Sequence, residues 1–341
     1  MAKKSWTTTV TNGKKIYSKK KIMSCSFRNT IIQRFNFFSL YFLFLWKFYI
    51  FFILFIFTSC YNESGNTKQQ EPSEHNQLHV FCGSISKPPM EEIVPLFEKK
   101  TGIKILITYG GSGYLLSQIK LTEKGDIYLP GSSDFMEKAK EMGIIYPESE
   151  KILVYLIPEI CVQRGNPKKI MSLNDLAKKD IKIAIGHPEN VCVGTYAVEI
   201  FDVNLKTFEQ NQVKKNIVNY TESCEKTATL LSLKTVDAIL GWDVFKFWDT
   251  TNIEGIKLQP HQIKRIGYIP VAIIKFTNHQ ALAEQFIKFL LSDDVKKIFR
   301  KYHYHTTLQE VNQYIYGDTI SKKMISAGGM YNLPKHWFPN K

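Results

Sequence analysis

The run Leu78-His79-Val80-Phe81-Cys82-Gly83-Ser84-Ile85-Ser86 passes from apolar residues into glycine and serine, and then into Met90-Glu91-Glu92-Ile93-Val94-Pro95-Leu96-Phe97. The same grammar returns in Ile105-Leu106-Ile107-Thr108-Tyr109-Gly110-Gly111-Ser112-Gly113, followed by Tyr114-Leu115-Leu116-Ser117-Gln118-Ile119. Each stretch reads as strand, turn and helix. A turn of this kind offers hydroxyls and unpaired backbone N–H groups at a helix N-terminus, where aligned peptide dipoles favour an anion. Ser84 and Ser112 stand 28 residues apart, and both turns follow apolar strands, so a single shared anion site is expected.

Outward from these turns, short β-rich runs alternate with amphipathic segments. Strands are predicted near 78–82, 103–109, 126–129, 152–157, 181–185, 236–240 and 268–275. Helices are predicted near 88–101, 113–123, 133–142, 172–178, 194–202, 224–233, 280–291 and 293–301. The alternation predicts a doubly wound α/β architecture with a largely parallel sheet, whose ligands sit at the carboxyl ends of strands. The 264 residues from Leu78 onward exceed a typical single domain and predict two lobes. Ser149 to Arg164 and Gln262 to Lys275 read as extended segments passing between them, so that lobe 1 comprises 78–156 and 270–341 and lobe 2 comprises 157–269.

The net charge of +14 is unevenly placed. Residues 1–60 hold ten Lys or Arg and no Asp or Glu, leaving +4 for the rest, a mildly basic body rather than a nucleic-acid surface. Phe35 to Phe57 is almost wholly apolar, long enough to span a bilayer, and follows the basic stretch as in an export signal. Its end, Phe57-Thr58-Ser59-Cys60, resembles a bacterial lipoprotein processing site in which Cys60 is acylated; the alternative is an uncleaved signal anchor. Either way the body is expected outside the cytoplasm, tethered to a membrane. The first 22 residues read as neither signal nor domain, which makes Met23 an alternative start. Residues 61–77 are polar and aperiodic and read as a flexible tether.

Tests for catalytic and metal motifs fail. None of G-x-x-x-x-G-K-[ST], H-E-x-x-H, G-x-S-x-G or G-x-G-x-x-G occurs. No Cys-x-x-Cys pair is present among Cys25, Cys60, Cys82, Cys161, Cys192 and Cys224, which argues against zinc and iron–sulfur sites. An exported protein could pair Cys192 with Cys224; the other reading is free buried thiols in place of small apolar residues. His303-Tyr304-His305 reads either as a metal pair on one strand face or as ordinary residues after the last strong helix.

Five segments then occur in an order that resembles the molybdate/tungstate-binding proteins of ABC importers. They are Gly83-Ser84-Ile85-Ser86; Gly110-Gly111-Ser112-Gly113 with Leu116-Ser117-Gln118-Ile119; Gly125-Asp126-Ile127-Tyr128; Ile183-Ala184-Ile185-Gly186-His187-Pro188-Glu189 with Gly194-Thr195-Tyr196-Ala197; and Asp237-Ala238-Ile239-Leu240-Gly241-Trp242. The resemblance covers about residues 78–300. It implies a type II periplasmic-binding-protein fold: two α/β lobes, each a mixed, mostly parallel sheet flanked by helices, closing on an oxyanion. It also implies an ABC permease as partner, a monomeric receptor and no cofactor.

Carried over residue by residue, the family's ligand contacts fall on Ser84 (with Ser86 as the alternative register), Ser112, the backbone amides of Val193 and Cys224, and Trp242, where the molybdate binders usually have tyrosine. Cys192 stands where proline is usual, and Cys224 replaces a small apolar residue. These departures leave open a relative that binds phosphate, sulfate or a small organic anion. An exported hydrolase using Ser84 or Ser112 lacks a base at any recognisable spacing. The competing structural readings are helix N-caps for the serines, a core aromatic for Trp242, and a solvated helix start for Lys87.

Overall fold

The computed structural model describes residues 76–317 and 325–338. The expected leader with Cys25 and Cys60, the alternative start at Met23 and all but the end of the expected tether lie outside these residues. No helix among the described residues is long and apolar enough to cross a membrane.

Strand β1 (Gln77–Gly83) lies between β2 (Lys104–Gly110) and β3 (Ile127–Leu129), parallel to both. Its Leu78, Val80, Phe81 and Cys82 are buried, as expected of a central parallel strand covered on both faces. Beside β3, and antiparallel to it, runs β10 (Arg265–Ile273), which also pairs with β4 (Lys151–Leu156) and with the two-residue β11 (Ser326–Ala327). Helices α1 (Lys87–Thr101), α2 (Ser112–Thr122) and α3 (Ser133–Glu141) follow β1, β2 and β3 in turn.

The second sheet repeats this plan. Strand β6 (Ile183–Gly186) lies between β7 (Ile217–Thr221) and β8 (Ala238–Trp242), parallel to both, and β5 (Pro158–Gln163) runs antiparallel beside β8, with β9 (Ile253–Ile256) at the edge. Helices α4 (Cys192–Asn204), α5 (Thr207–Asn216) and α6 (Cys224–Ser232) flank it, and the single turn α7 (Phe245–Trp248) follows β8. In each lobe three parallel strands are therefore joined by one antiparallel strand, β10 or β5, that enters from the other lobe. Ile157 alone separates β4 from β5, and residues 257–264 lead from β9 back to β10. These are the two crossings between the sheets.

After β10, α8 (Gln280–Leu290) and α9 (Asp293–Lys301) pack on the first sheet. Helix α9 has the electrostatics of a self-sufficient helix: Ser292 caps its N-terminus, Asp293 and Asp294 occupy the first turn, and Arg300 and Lys301 the last. The remainder of the chain departs from the expected division. Strand β10 begins at Arg265, ahead of the expected boundary at 270. The segment from α10 (Leu308–Tyr316) onward joins the core of the second lobe rather than the first. The cause is local chemistry: Trp337 stacks on Phe201 at 5.7 Å, and the Tyr314 hydroxyl donates to the buried Glu159 carboxylate, which also receives Lys246 Nζ at 2.9 Å.

Candidate functional site

The carboxyl ends of all six parallel strands meet at the seam between the lobes. In both sheets the strand order reverses at the first parallel strand, the arrangement that opens a ligand crevice at strand ends. The seam is shut in this structure. Gly113 N donates to Asn190 O at 2.8 Å, Glu225 N to Ser84 Oγ at 3.4 Å, and Lys87 Nζ pairs with Glu225 Oε1 at 2.8 Å, each bond linking one lobe to the other. Gly131 permits a close approach. A Cβ there would stand 2.6 Å from Cys192 Sγ and 2.7 Å from Ile85 Cγ2.

The residues assigned to the anion in the sequence, Ser84, Ser86, Ser112, Val193, Cys224 and Trp242, lie at or just beyond the strand ends. Ser84 opens a short 3-10 turn (Ser84–Ser86), is buried, and borders a cavity of about 370 Å³ lined also by Lys87, Glu91, Glu225 and Trp248. Ser86 takes the N-cap position of α1 but makes no capping bond, and its buried hydroxyl has no partner. Ser112 is the first residue of α2 rather than its cap. Its hydroxyl accepts from Gly131 N at 2.9 Å, which leaves the hydroxyl proton available to a ligand. Helix α4 begins with Cys192 and Val193 and has neither a side-chain cap nor an acidic first turn. Cys224 opens α6, with its Sγ 3.3 Å from Cys192 Sγ; the amide facing Ser84 is that of Glu225, one residue further on. Trp242 ends β8 fully buried, its ring edge-on to Tyr196 at 4.8 Å. The ring belongs to the core while Nε1 is left without a hydrogen-bond partner.

Sequence reading missed Ser132. It caps α3 without making a capping bond, and its hydroxyl is buried and unpartnered. The signal was present: Pro130-Gly131-Ser132-Ser133 follows β3 with the same glycine and serine grammar as the two turns that were recognised. Ser86, Ser132 and Trp242 thus present three buried donors with nothing to donate to, each an expense of roughly 1–3 kcal/mol unless a ligand engages it.

Several of the charged groups nearby are already engaged. Lys87 opens α1 and stays part-exposed, and its Nζ reaches across the cleft mouth to Glu225. Behind the site, Arg265 makes a bidentate pair with Asp134 at 2.9 and 3.0 Å and meets Glu199 at 2.7 Å, joining α3 of one lobe to α4 of the other. Burial raises the Glu199 carboxyl above its ordinary range, with the Arg265 guanidinium opposing the shift. Burial, reinforced by the neighbouring Cys224 thiol, pushes the Cys192 thiol well up. The Ser84 and Ser112 hydroxyls each meet a main-chain amide, whereas His305 is bound to Asp243 at 2.7 Å. His303 stacks on Phe247 at 3.7 Å, and among the described residues no group of three or more His, Cys, Asp or Glu is placed to hold a metal.

Comparison with known proteins agrees with this architecture. The family model described as bacterial extracellular solute-binding protein matches residues 78–305. A putative ABC transporter substrate-binding lipoprotein, YvgL of Bacillus subtilis, is 27% identical over 242 residues, covering 70% of this chain and 90% of that protein. The molybdate-binding protein ModA of Rhodobacter capsulatus is 22% identical over 240 residues, 69% of this chain and 90% of its own. A putative binding protein of Haemophilus influenzae is 26% identical over 161 residues, 47% of this chain and 64% of that protein, so this match spans less than two thirds of that relative's length. Among solved structures, the sulfate-binding protein SubI of Mycobacterium tuberculosis superposes with a TM-score of 0.62 at 12% identity, over 74% of this chain and 94% of its own, a likeness of fold. The match over 78–305, together with two lobes whose strand ends meet at one seam, makes the chain a member of the bacterial extracellular solute-binding protein family.

Proposed function

We propose that this chain is an extracytoplasmic receptor that captures a tetrahedral oxyanion, most readily molybdate or tungstate, between its lobes and presents it to an ABC permease. The observation that carries the proposal is that Ser86 Oγ, Ser132 Oγ and Trp242 Nε1, three of the four buried unpartnered donors among the described residues, lie at or just beyond the ends of parallel strands, as Ser84 and Ser112 do. All are neutral. A dianion held by such groups gains roughly 1.5–3 kcal/mol from each hydrogen bond. Five or six of them supply about 8–18 kcal/mol against an association cost of about 4–15 kcal/mol. The amides of Val193, Cys224 and Glu225, at the N-termini of α4 and α6, would add to the set.

These donors ask for no bond-breaking step and no cofactor, since the Ser84 and Ser112 hydroxyls each meet a main-chain amide rather than a base. Opening at Ile157 and at 257–264 would admit the anion, and closure would remove it from water. The name of the Bacillus relative supports an importer partner and a lipid-anchored form, for which Cys60 is the proposed acylation site; the receptor acts as a monomer tethered to the membrane. A second reading, the same cleft binding sulfate or another small anion, is favoured by Trp242 and Cys192 in its wall and by the likeness of fold to the sulfate binder.

The test is to follow the melting temperature of the purified chain with molybdate, tungstate, sulfate and phosphate. An anion at 100 times its dissociation constant adds about 2.7 kcal/mol of stability. A shift with molybdate and tungstate alone supports the first reading and a shift with sulfate alone the second. Equal shifts with all four overturn both.

A further inference from the structure

Where β2 runs into α2 the chain reads Gly110-Gly111-Ser112-Gly113. Glycine often serves in such turns because it takes positive φ without cost. Gly111 does not use that freedom: as the N-cap of α2 it has φ −69° and ψ 137°, a conformation open to other residues. What it provides is space on the far side of the cleft. A Cβ at Gly111 would stand 2.4 Å from the Glu222 carbonyl oxygen and 3.1 Å from that of Asn190, both on the second lobe. Ordinary contact begins at 3.4 Å, so one methyl group would intrude by about 1 Å into a close-packed seam.

Both carbonyls are held where they are. Beside Glu222, Thr221 O accepts from His187 N at 2.8 Å, and Ser223 receives Lys226 N on its hydroxyl at 3.1 Å and Thr227 N on its carbonyl at 3.0 Å. Asn190 lies in a turn in which its own amide and that of Val191 donate to His187 O at 3.0 and 2.8 Å, and Thr195 Oγ1 donates to Pro188 O at 2.8 Å. In the first lobe, by contrast, the nearest group to such a Cβ outside the adjoining backbone is the Tyr114 ring at 3.0 Å, on an exposed side chain that can turn aside. Gly113 and Gly131 also face the second lobe, but a Cβ there would strike Phe135 at 2.9 Å or Ile85 at 2.7 Å within the first. Gly111 alone of the three separates closure from packing. The close approach also yields a bond. Gly113 N, a first-turn amide of α2 with no acceptor in its own helix, donates to Asn190 O at 2.8 Å, main chain to main chain between the lobes.

We propose that Gly111 is the positioning residue for closure: its bare Cα is the stop on which the second lobe comes to rest, and the Gly113–Asn190 bond is the latch that forms at that separation. The donors proposed for the anion are divided between the lobes, with Ser84, Ser86, Ser112 and Ser132 on one side and Trp242 and the α4 and α6 amides on the other. The stop therefore fixes the width of the space between them, and the residue at 111 sets affinity through that width. The effect on affinity rests on the oxyanion reading; the stop and the latch do not.

The test compares the full chain with Gly111→Ala and Gly111→Ser. Alanine is a poor helix cap and serine a good one, so the two variants differ in capping while sharing the added Cβ. Amide hydrogen exchange is followed by NMR with and without saturating tungstate. Gly113 reports the latch, and Leu115, whose amide donates to Gly111 O at 3.0 Å inside the first lobe, reports the start of α2. The expected result is a protected Gly113 amide in the parent chain that exchanges at least tenfold faster in both variants, with Leu115 unchanged. Tungstate affinity by isothermal titration should fall at least tenfold in both, since parting the lobes by about 1 Å forfeits at least one hydrogen bond to a charged acceptor, about a decade or more. A Gly113 amide unprotected in the parent under both conditions, or equally protected in the variants, overturns the latch and the stop. Faster exchange at Leu115 as well makes Gly111 a local structural residue and overturns the proposal too. Selective loss at Gly113 with equal tungstate affinity in all three proteins overturns the control of affinity. Selective loss at Gly113 in a parent that binds no tungstate sinks the oxyanion reading and leaves the stop standing.

Discussion

Replacing Ser132 by alanine separates a ligand donor from a structural hydroxyl, because the two roles predict opposite changes in the ligand-free protein. The Ser132 hydroxyl is fully buried, does not cap α3 and has no partner. A buried polar group left unsatisfied costs roughly 1–3 kcal/mol. Ser132→Ala removes that cost and leaves only a void of one oxygen, so the ligand-free chain should gain about 1 kcal/mol and melt roughly 2–4 °C higher. The same change deletes one hydrogen bond to a charged acceptor. Molybdate or tungstate affinity should therefore fall by about 1.5–3 kcal/mol, on the order of 10- to 150-fold. Scanning calorimetry without anion and isothermal titration with it provide the two numbers. Ser112→Ala is the control of opposite sign: it strips Gly131 N of its acceptor at 2.9 Å, so it should lower the ligand-free melting point as well as the affinity. The reasoning is refuted if Ser132→Ala lowers the ligand-free melting temperature and leaves the dissociation constant unchanged.

Trp337→Ala should destabilise the chain by about 3–5 kcal/mol, because its indole is buried against Phe201 beneath a segment tied to Arg265 through Gly329 O; urea titration reads the loss. Glu225→Gln breaks the part-exposed pair with Lys87 at the cleft mouth and should speed anion release less than about fivefold, an effect that vanishes at high salt in stopped-flow measurements. Burial lowers the pKa of His79 from its ordinary value of 6.5, with Asp126 opposing the shift. The folded state then binds fewer protons than the unfolded one, so stability should decline as pH falls through 6.5 and below, and His79→Gln should flatten that part of the melting-temperature profile. The Cys192 thiol, raised well above its usual range by burial and by Cys224, should react with iodoacetamide far more slowly in the closed native chain at pH 8 than after denaturation.

Much of the architecture was legible because its strands announce themselves at both ends. β1 and β2 are apolar runs closed by Gly83 and by Gly110-Gly111, and the helices after them carry regular apolar spacing. Strand β7 was hidden because Ile217-Val218-Asn219-Tyr220-Thr221 follows α5 with no breaking residue between them. Helix α5 was hidden because it buries little beyond Val213 and Asn216 and so shows no stripe. Helix α10 did carry a signal, the Thr307 and Glu310 capping box, which went unread. Among the proposed contacts, Ser84, Ser86 and Ser112 are marked in the sequence by their turns, and Ser132 carries the same mark. The bond between Glu225 N and Ser84, the Arg265 bridge to Asp134 and Glu199, and the approach of Cys192 to Cys224 join residues 32 to 141 positions apart. Such pairings follow from how the two sheets face each other, which no local pattern encodes.

The central claim, that neutral donors from both lobes enclose an oxyanion at the strand ends, is tested most directly by crystals grown with tungstate and measured at the tungsten absorption edge. The account predicts one strong anomalous peak within hydrogen-bonding distance of the Ser84, Ser112 and Ser132 hydroxyls and of Trp242 Nε1. A peak elsewhere, or none in that cleft at saturating tungstate, would contradict it.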